Sequence, residues 1–512
     1  MLSKKISKYR FLAVLGVIIF LSVVLRFYFL DARTVHIDEG MSLRAGQIMA
    51  DGHWRYDPYN AHGPVFFFLA GFVYKVFGDD WNLARATMSV VSVVWLVVLG
   101  FIYWPLLKKP GRLMLVAGLG LSSGMAFFSR YFIHEHLFIL ITVGALAAGE
   151  WWVRKKDPRA PAAFVIMSGL MYATKETAVL TWAAWFVAAL LLLLEPKRRS
   201  FLYGIDWRAV ALGIYVAAVL HVLLFTVFFM NSMQSVVDSF VGLFRWSQRA
   251  QAMHVRPFPY FIELLAWHEF PVFFGAFALG WFMKIKKLWT PRLMFFALWS
   301  VFIVLAYSMI QYKTPWNIPN LILPFGIFTA FAFDAAWPVL KKNQKKIVAV
   351  LAAILLIAGF IRAWRDSMVH PDRVRPLDYA YLQGDYSFRR FMRTLEDLNA
   401  LYEPKPISIQ RIGNTDELLY VLTKPYQSFD SFDPFMPGLP VYINYMRDDR
   451  DTLMRLKAGS GKNYIRSTYR YLRDWGHLVD LFVEENLWNR YLKEVAHEEI
   501  LPGENPVYDY SD

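Results

Sequence analysis

The sequence predicts an all-α polytopic membrane domain over residues 1–364, followed by an α/β domain outside the membrane over residues 365–512. Three observations carry that expectation. The 512-residue chain is 56% hydrophobic with a mean hydropathy of +0.32, and its apolar residues gather into blocks of about 18 or more, the length that crosses a bilayer as a helix. Short Lys/Arg clusters recur between those blocks. From about Arg365 the long apolar blocks stop, and charge and tyrosine take over.

The N-terminus, MLSKKISKYR ahead of FLAVLGVIIFLSVVLRFYFL, has the charge order of a signal sequence. The apolar stretch is long, ends in bulky aromatics and lacks a small-x-small cleavage site, so it reads as an uncleaved first span. Six basic clusters then set the topology: Lys4 to Arg10, Lys108 to Arg112, Arg154 to Lys156, Lys197 to Arg199, Lys284 to Lys287 and Lys341 to Lys346. The positive-inside rule puts all of them in the cytoplasm. After residue 107, two apolar blocks fit between each consecutive pair: 113–128 and 137–153, 162–174 and 177–194, 207–229 and 264–283, 293–311 and 318–338. A last block, 347–364, carries the chain outside.

Val65–Phe77 is apolar too, but if it spanned, every later basic cluster would move to the outer face. It is also short for a span. Residues 64–78 are therefore expected as a helix at the outer surface, within an outer loop over 31–84. The count is eleven transmembrane helices in the cytoplasmic membrane, N-terminus inside and C-terminal domain extracytoplasmic. In that domain ISIQ (407–410) and PVYINY (440–445) read as strands, and 415–422 and 449–458 as helices.

Composition also excludes function classes. The net charge of +14 lies largely in short loops, where it serves topology and not nucleic acid. The chain has no cysteine, hence no disulfide, thiolate metal site or Cys nucleophile. It has no Walker A loop, Rossmann fingerprint or Gly-x-Ser-x-Gly, and no sizeable cytoplasmic domain. Any group donor must reach the outer face already activated within the membrane.

The topology sends five polar elements to that outer face: 36–62 beginning HIDEG, SRYFIHEH (129–136), ATKET (173–177), the 231–262 loop with HVRPFPY, and QYKTPWN (311–317). Asp38 and Glu39 suit a general base and a partner that orients an acceptor or supports a metal; a helix cap or solvated end is the alternative. In His134-Glu135-His136 the two histidines at i and i+2 do not share a helix face, so this is not a helical zinc motif. Glu135 could reach a divalent ion or a substrate hydroxyl there. Arg130, Lys175, Arg256 and Lys313 place positive charge on the side where the topology rule disfavours it, which suits an anionic ligand at headgroup depth. Snorkelling to lipid headgroups is the alternative for each. His221 and Asp334 lie inside apolar blocks, where packed, hydrogen-bonded roles are expected.

The order of these parts resembles the GT-C glycosyltransferases, which include the dolichyl-phosphate-mannose–protein mannosyltransferases and the bacterial lipid A aminoarabinose transferases. The likeness rests on the acidic pair after span one, His62-Gly63-Pro64, Arg85, Ser129-Arg130, ATKE, the Pro-Phe-Pro-Tyr loop and YKTPWN. It is nearest to a prokaryotic branch labelled flippase-activity-associated, and it runs over nearly the whole chain. The resemblance implies transfer of a sugar from a polyprenyl-phosphate donor in the membrane lipid to an extracytoplasmic glycan, lipid or protein acceptor. It implies Asp38 as the acceptor-activating carboxylate, with Glu39 beside it. His62 matches a His or Lys that precedes a Pro pair, with Gly63 replacing the first proline. Glu135 falls near a second-loop Asp of the family. Substrate-binding roles follow for His62, Arg130, Glu135, Lys175, Glu176, His254, Arg256, Tyr260 and Lys313, with donor phosphate at Lys313 and Arg256. Glu39, His62 and Glu135 are the candidate ligands if a divalent metal ion takes part. The competing reading is a lipid-linked glycan transporter or flippase, or a flippase-associated scaffold.

The topology is testable directly. Reporter fusions after residues 110 and 400 should report opposite compartments, cytoplasmic and extracytoplasmic; matching signals would defeat the eleven-span reading.

Overall fold

The computed structural model describes residues 2–512 except 60, 199–203, 250–253, 372, 374–376, 382–385, 414–418, 420–421, 430–432, 446–451, 473–476, 500, 502–506 and 511–512. Two compact units form. One comprises Met1–Ala32, Ala45–Pro371 and Pro376–Tyr379, and the other Arg33–Arg44, Asp372–Arg375 and Ala380–Asp512.

The first unit is helical. In chain order its helices are α1 (Leu2–Phe27), the second half of α2 (Ile37–Ala50), α3 (Pro64–Phe77), α4 (Trp81–Tyr103), α5 (Lys109–Gly120), α6 (Ser123–Ser129), α7 (Glu135–Lys155), α8 (Ala160–Tyr172) and α9 (Ala178–Leu193). There follow α10 (Trp207–Phe225), α11 (Gln234–Arg249), α12 (Tyr260–His268), α13 (Phe270–Lys286), α14 (Pro291–Met309), α15 (Ile318–Ala336) and α16 (Lys342–Trp364). Among the described residues, seven helices are long and apolar enough to cross a membrane, and nine if each bent pair counts as one span. The expected eleven are reached only by including α8 and α9, which have 13 and 16 residues. At 1.5 Å per residue these are about 20 and 24 Å long, short of a hydrocarbon core of about 30 Å unless their flanking turns contribute.

Two blocks read as continuous spans are broken. Block 113–128 bends by 50° between α5 and α6, and block 264–283 by 100° between α12 and α13. At the first break Ser122 caps α6 by accepting from the Met125 N–H. At the second, His268 ends α12, Glu269 alone lies between the helices, and Pro271 is in the first turn of α13. Helix α15 is buried along nearly its whole length and packs against α5, α13 and α14. It is the core around which the others stand.

Pro64 opens α3 as expected, at a first-turn position where its missing N–H leaves no bond unmade. The helix has 14 residues, about 21 Å, and like α8 and α9 it is shorter than the hydrocarbon core. Gly63 explains how the chain enters it. A Cβ on Gly63 would lie 2.2 Å from the Ala173 carbonyl oxygen, and that carbonyl accepts the Val65 N–H at 3.0 Å. The backbone of the His-Gly-Pro break is therefore pressed against the turn after α8.

The second unit holds a six-stranded mixed sheet: β1 (Ser408–Gly413), β2 (Gln427–Phe429), β3 (Val441–Tyr445), β4 (Tyr464–Leu472), β5 (His477–Glu484) and β6 (Val507–Tyr510). The spatial order is β2-β1-β3-β5-β4-β6, with β1 parallel to β2 and β3, β5 antiparallel to β3 and β4, and β6 parallel to β4. Helices α17 (Tyr386–Leu401) and α19 (Glu485–Tyr491) cover one face, where Phe388 and Phe391 meet Tyr471 and Tyr469. Helix α18 (Thr452–Ser460) covers part of the other through Leu456 against Tyr442, Tyr464 and Phe482. The two expected strands are present as β1 and β3, and α18 answers to the helix expected over 449–458. The helix expected over 415–422 lies mostly outside the described residues.

Gly63→Ala should destabilise the folded protein by about 1–3 kcal/mol or prevent folding, because backbone and not a flexible side chain opposes the new methyl. Gly16→Ala is the control: nothing lies within 4 Å of a Cβ there, and alanine in a helix interior is favoured by up to about 1 kcal/mol. Thermal unfolding of the two variants measures the contrast.

Candidate functional site

The acidic pair sits at the start of α2. His36 is the residue before the helix, and its Nδ1 accepts the Asp38 N–H at 3.0 Å. Glu39 reaches back, its Oε2 accepting the His36 N–H at 3.0 Å. Two orphan donors of the first turn are thus satisfied reciprocally, a capping box with histidine in the usual Ser/Thr position. Burial holds the His36 imidazole below its usual range, against the opposing pull of Asp38 and Glu39, in keeping with a ring nitrogen that accepts. The second Glu39 oxygen accepts from Arg33 Nη2 at 3.0 Å, and Glu39 is fully buried. Asp38 differs. Its side chain is 35% exposed, no described donor hydrogen-bonds to its carboxylate, and His36 Nδ1 is 4.0 Å away.

In the helical unit the contact of Gly63 with the Ala173 turn brings His62 to Glu176. His62 Nδ1 lies 2.9 Å from both Glu176 oxygens. His134 stands edge-on to His62 at 4.6 Å between ring centroids. Burial pushes the Glu176 pKa up, but the His62 ring more than offsets it by charge and hydrogen bond, and Lys175 adds to the effect; the net direction is down. Burial, then His62 and Lys175, hold His134 well below the usual histidine range, hence neutral.

Beneath this pair lies a buried network. Lys175 donates to Glu135 and, at 2.9 Å, to Asn317 Oδ1; Asn320 Nδ2 donates to the other Glu135 oxygen at 2.9 Å. All four residues are buried. The start of α7, the turn before α9 and the start of α15 are thereby tied together. Nothing in the local sequence announces Asn317 and Asn320, because their partners are remote.

His254, Val255 and Arg256 pair antiparallel with Gln311, Tyr312 and Lys313: the Arg256 N–H donates to Gln311 O at 3.2 Å and the Lys313 N–H to His254 O at 3.1 Å. Two loops expected on one face are thus joined as a short ribbon. The Lys313 ammonium donates to the carbonyls of Arg256 and Ile310, and the Arg256 guanidinium lies over the Tyr260 ring at 5.3 Å. Arg130 is placed elsewhere. It is buried and donates to the carbonyls of Leu25, Tyr28 and Phe29 at the end of α1.

The sequence reading missed the charged group where the two broken helices meet. His268 Nδ1 is 2.7 Å from Asp366 Oδ2 and Nε2 is 2.5 Å from Leu377 O. Arg362 and Ser123 also donate to Asp366. Glu269 accepts from the Gly124 N–H at 2.6 Å and the Tyr379 hydroxyl at 2.9 Å. The signal was there in WHEFP (267–271): an ionisable pair followed by proline inside an apolar block.

Among the described residues no group of three or more His, Asp or Glu side chains could hold a metal ion. The expected ligands are engaged otherwise: Glu39 with Arg33 and the helix cap, Glu135 with Lys175 and Asn320, and His62 with Glu176.

Removing one partner of a buried ion pair leaves the other uncompensated. Glu135→Leu or Lys175→Met alone should each cost about 3–5 kcal/mol, and the double variant clearly less than their sum. Denaturant unfolding of the three variants measures this. A second expectation follows from Glu176. Its folded-state pKa lies below the ordinary 4.5, so the pair contributes stability that is present above that pH and is lost as pH falls through the folded value. The melting temperature should therefore drop below pH 4.5 more steeply in the natural chain than in Glu176→Gln.

No protein-family model matches the chain, and no curated protein matches it in sequence. Solved structures do resemble it. One is ArnT from Cupriavidus metallidurans bound to undecaprenyl phosphate, with a TM-score of 0.61 at 17% identity over 91% of this chain and 97% of that one. The same protein in its apo state gives 0.61 at 15% identity, over 94% and 98%. The arabinofuranosyltransferase AftD from Mycobacteria is more distant, at 0.46 and 15% identity over 92% of this chain and 40% of its own. The chain therefore has an ArnT-like fold, a polytopic helical membrane region followed by a mixed α/β sheet domain.

Proposed function

We propose that the protein is an integral membrane glycosyltransferase that moves a sugar from a polyprenyl-phosphate donor to an extracytoplasmic acceptor. The ArnT-like fold supports the donor class, since the similar structure is one bound to undecaprenyl phosphate. The observation that carries the reading is the state of Asp38. The other carboxylates at the named sites have structural partners, while Asp38 is accessible and accepts no hydrogen bond from a described group. In the proposed reaction Asp38 takes the proton of the acceptor hydroxyl as its oxygen bonds to the anomeric carbon. The bond from that carbon to the phosphate oxygen breaks, and polyprenyl phosphate leaves with the electron pair. A positioned base of this kind contributes about 10²–10⁴-fold. Arg256 and Lys313, joined on one ribbon, are proposed to hold the donor phosphate.

A second reading has one observation in its favour. Broken helices meeting at a charged cluster, as α5–α6 and α12–α13 do, are a device of transporters. A lipid-linked glycan transporter would move its lipid without forming a new glycosidic bond.

Asp38→Asn keeps the shape and the helix start but cannot accept a proton at neutral pH. Transfer from radiolabelled polyprenyl-phosphate sugar should fall by at least about 10²-fold per folded molecule, with thermal stability within about 0.5 kcal/mol of the natural chain. Full activity in the variant would remove Asp38 from the chemistry. Absence of transfer by the natural chain, with lipid movement intact, would favour the transporter.

A further inference from the structure

Arg26 is in the last turn of α1, within a membrane-spanning segment, and has no exposed surface. Its Nε donates to Ser92 Oγ at 2.9 Å, and Nη1 donates to Ser22 O, Ser22 Oγ and Gly120 O at 3.0, 2.9 and 2.7 Å. Every one of these acceptors is neutral, and no described carboxylate pairs with the guanidinium. Nη2 is buried and makes no hydrogen bond to a described group. A guanidinium closed off in this way costs several kcal/mol unless something compensates its charge.

A second orphan lies close by. His136, on α7, is buried, and its Nδ1 accepts the Trp95 indole N–H at 3.0 Å. An indole nitrogen only donates, so Nδ1 carries no proton and the ring hydrogen is on Nε2. That nitrogen is also buried without a hydrogen bond. The Met125 carbonyl faces the ring and Arg26 is within electrostatic reach of it, but no acceptor meets Nε2 in hydrogen-bonding geometry.

The two orphans are linked through α4. Ser92, which receives Arg26, and Trp95, which holds His136, are three residues apart and occupy successive turns of one helix face, about 5–6 Å from each other. Ser92 accepts from Arg26, so its own hydroxyl hydrogen is available to a further acceptor. The unspent groups are thus all donors: Arg26 Nη2, the Ser92 hydroxyl and His136 Nε2. A water molecule could accept from two of them but would bring no charge and would need acceptors for its own hydrogens. A small anion satisfies the donors and the guanidinium together.

We infer that Arg26, Ser92 and His136 form a buried site for a halide-sized anion, chloride in the cell, between α1, α4 and α7. The site is independent of the proposed sugar transfer.

The test compares thermal unfolding of the purified full chain in sodium chloride, sodium bromide and sodium gluconate at constant ionic strength. Halide should raise the melting temperature saturably, as a ligand that binds only the folded state must, and gluconate should not. Arg26→Met should fold, because an apolar side chain of similar volume commonly replaces a buried charge without loss, and should abolish the saturable response. His136→Phe should retain the response with roughly tenfold weaker apparent affinity, the value of one charge-assisted bond. Crystals grown in bromide should show anomalous density in contact with Arg26 and His136. An equal halide response in the natural chain and Arg26→Met would overturn the site, as would a bromide map with no signal there. If Arg26→Met fails to fold, His136→Phe and the bromide map decide.

Discussion

Each helix end leaves backbone groups without partners, and in a bilayer water is not there to take them. Much of the architecture depends on how this chain meets that demand, which it does repeatedly with charged side chains. The carbonyl end of α1 is gripped by Arg26, Arg130 and Arg85, the last donating to Leu30 O at 3.0 Å. The amide end of α5 is met by Asp334, whose Oδ1 accepts from the Lys108 and Gly111 N–H groups. Glu269 takes the Gly124 N–H at the start of α6, and Glu39 takes the His36 N–H at the start of α2. The signs are consistent: cations stand at a carbonyl end and carboxylates at amide ends, as the helix dipole favours.

That pattern narrows what the polar residues of the named motifs can do. Positive charge at loop ends points to an anion on topological grounds alone, yet Arg130 is spent on α1. Lys175 is neutralised by Glu135 and held by Asn317. The His62–Glu176 pair is different in kind. Both side chains keep some exposure, 20% and 14%, and they stand on the buried Glu135 network without being part of it. A rigid, charge-balanced floor under two accessible titratable groups is the arrangement expected of a functional surface, because its cost in buried charge is hard to explain by stability alone.

Much of the membrane architecture was legible in the sequence because hydropathy and loop charge are local signals summed over many residues. The short α3 was legible as a helix from its apolar run and the Pro64 that opens it. The helix breaks were not, since both halves of each are apolar and the interruption is one or two residues, Leu121-Ser122 or Glu269. In the sheet, β1 and β3 were readable from their apolar runs. Tyr464–Leu472 was obscured by Arg466 and Arg470, which interrupt its apolar residues, and β2, at three residues, is too short to leave a pattern. The site was legible as a list and not as a set of partnerships. Glu135 and Asn320 are 185 positions apart, and no spacing rule reaches that far. The engagement of the candidate metal ligands was hidden for the same reason: a donor list does not say which partners each donor already has.

The adjacent carboxylates of HIDEG show why partnership matters more than residue type. Successive residues on a helix point about 100° apart, so Asp38 and Glu39 cannot both turn back toward the helix start. Glu39 occupies the third helical position, from which a side chain of its length reaches the residue ahead of the helix, and it does so while fully buried against Arg33. Asp38, one position earlier, lends only its backbone N–H to the cap, and its carboxylate stays a third exposed. Glu39 and His36 thus fix the turn, and the fixed turn holds the neighbouring carboxylate in a defined place without hydrogen-bonding it. A base needs both conditions, since a carboxylate tied by strong donors is a poor proton acceptor and one on a loose loop is poorly placed. On the proposed reading the pair divides into one structural residue and one chemical residue, with the division set by a single step along the helix.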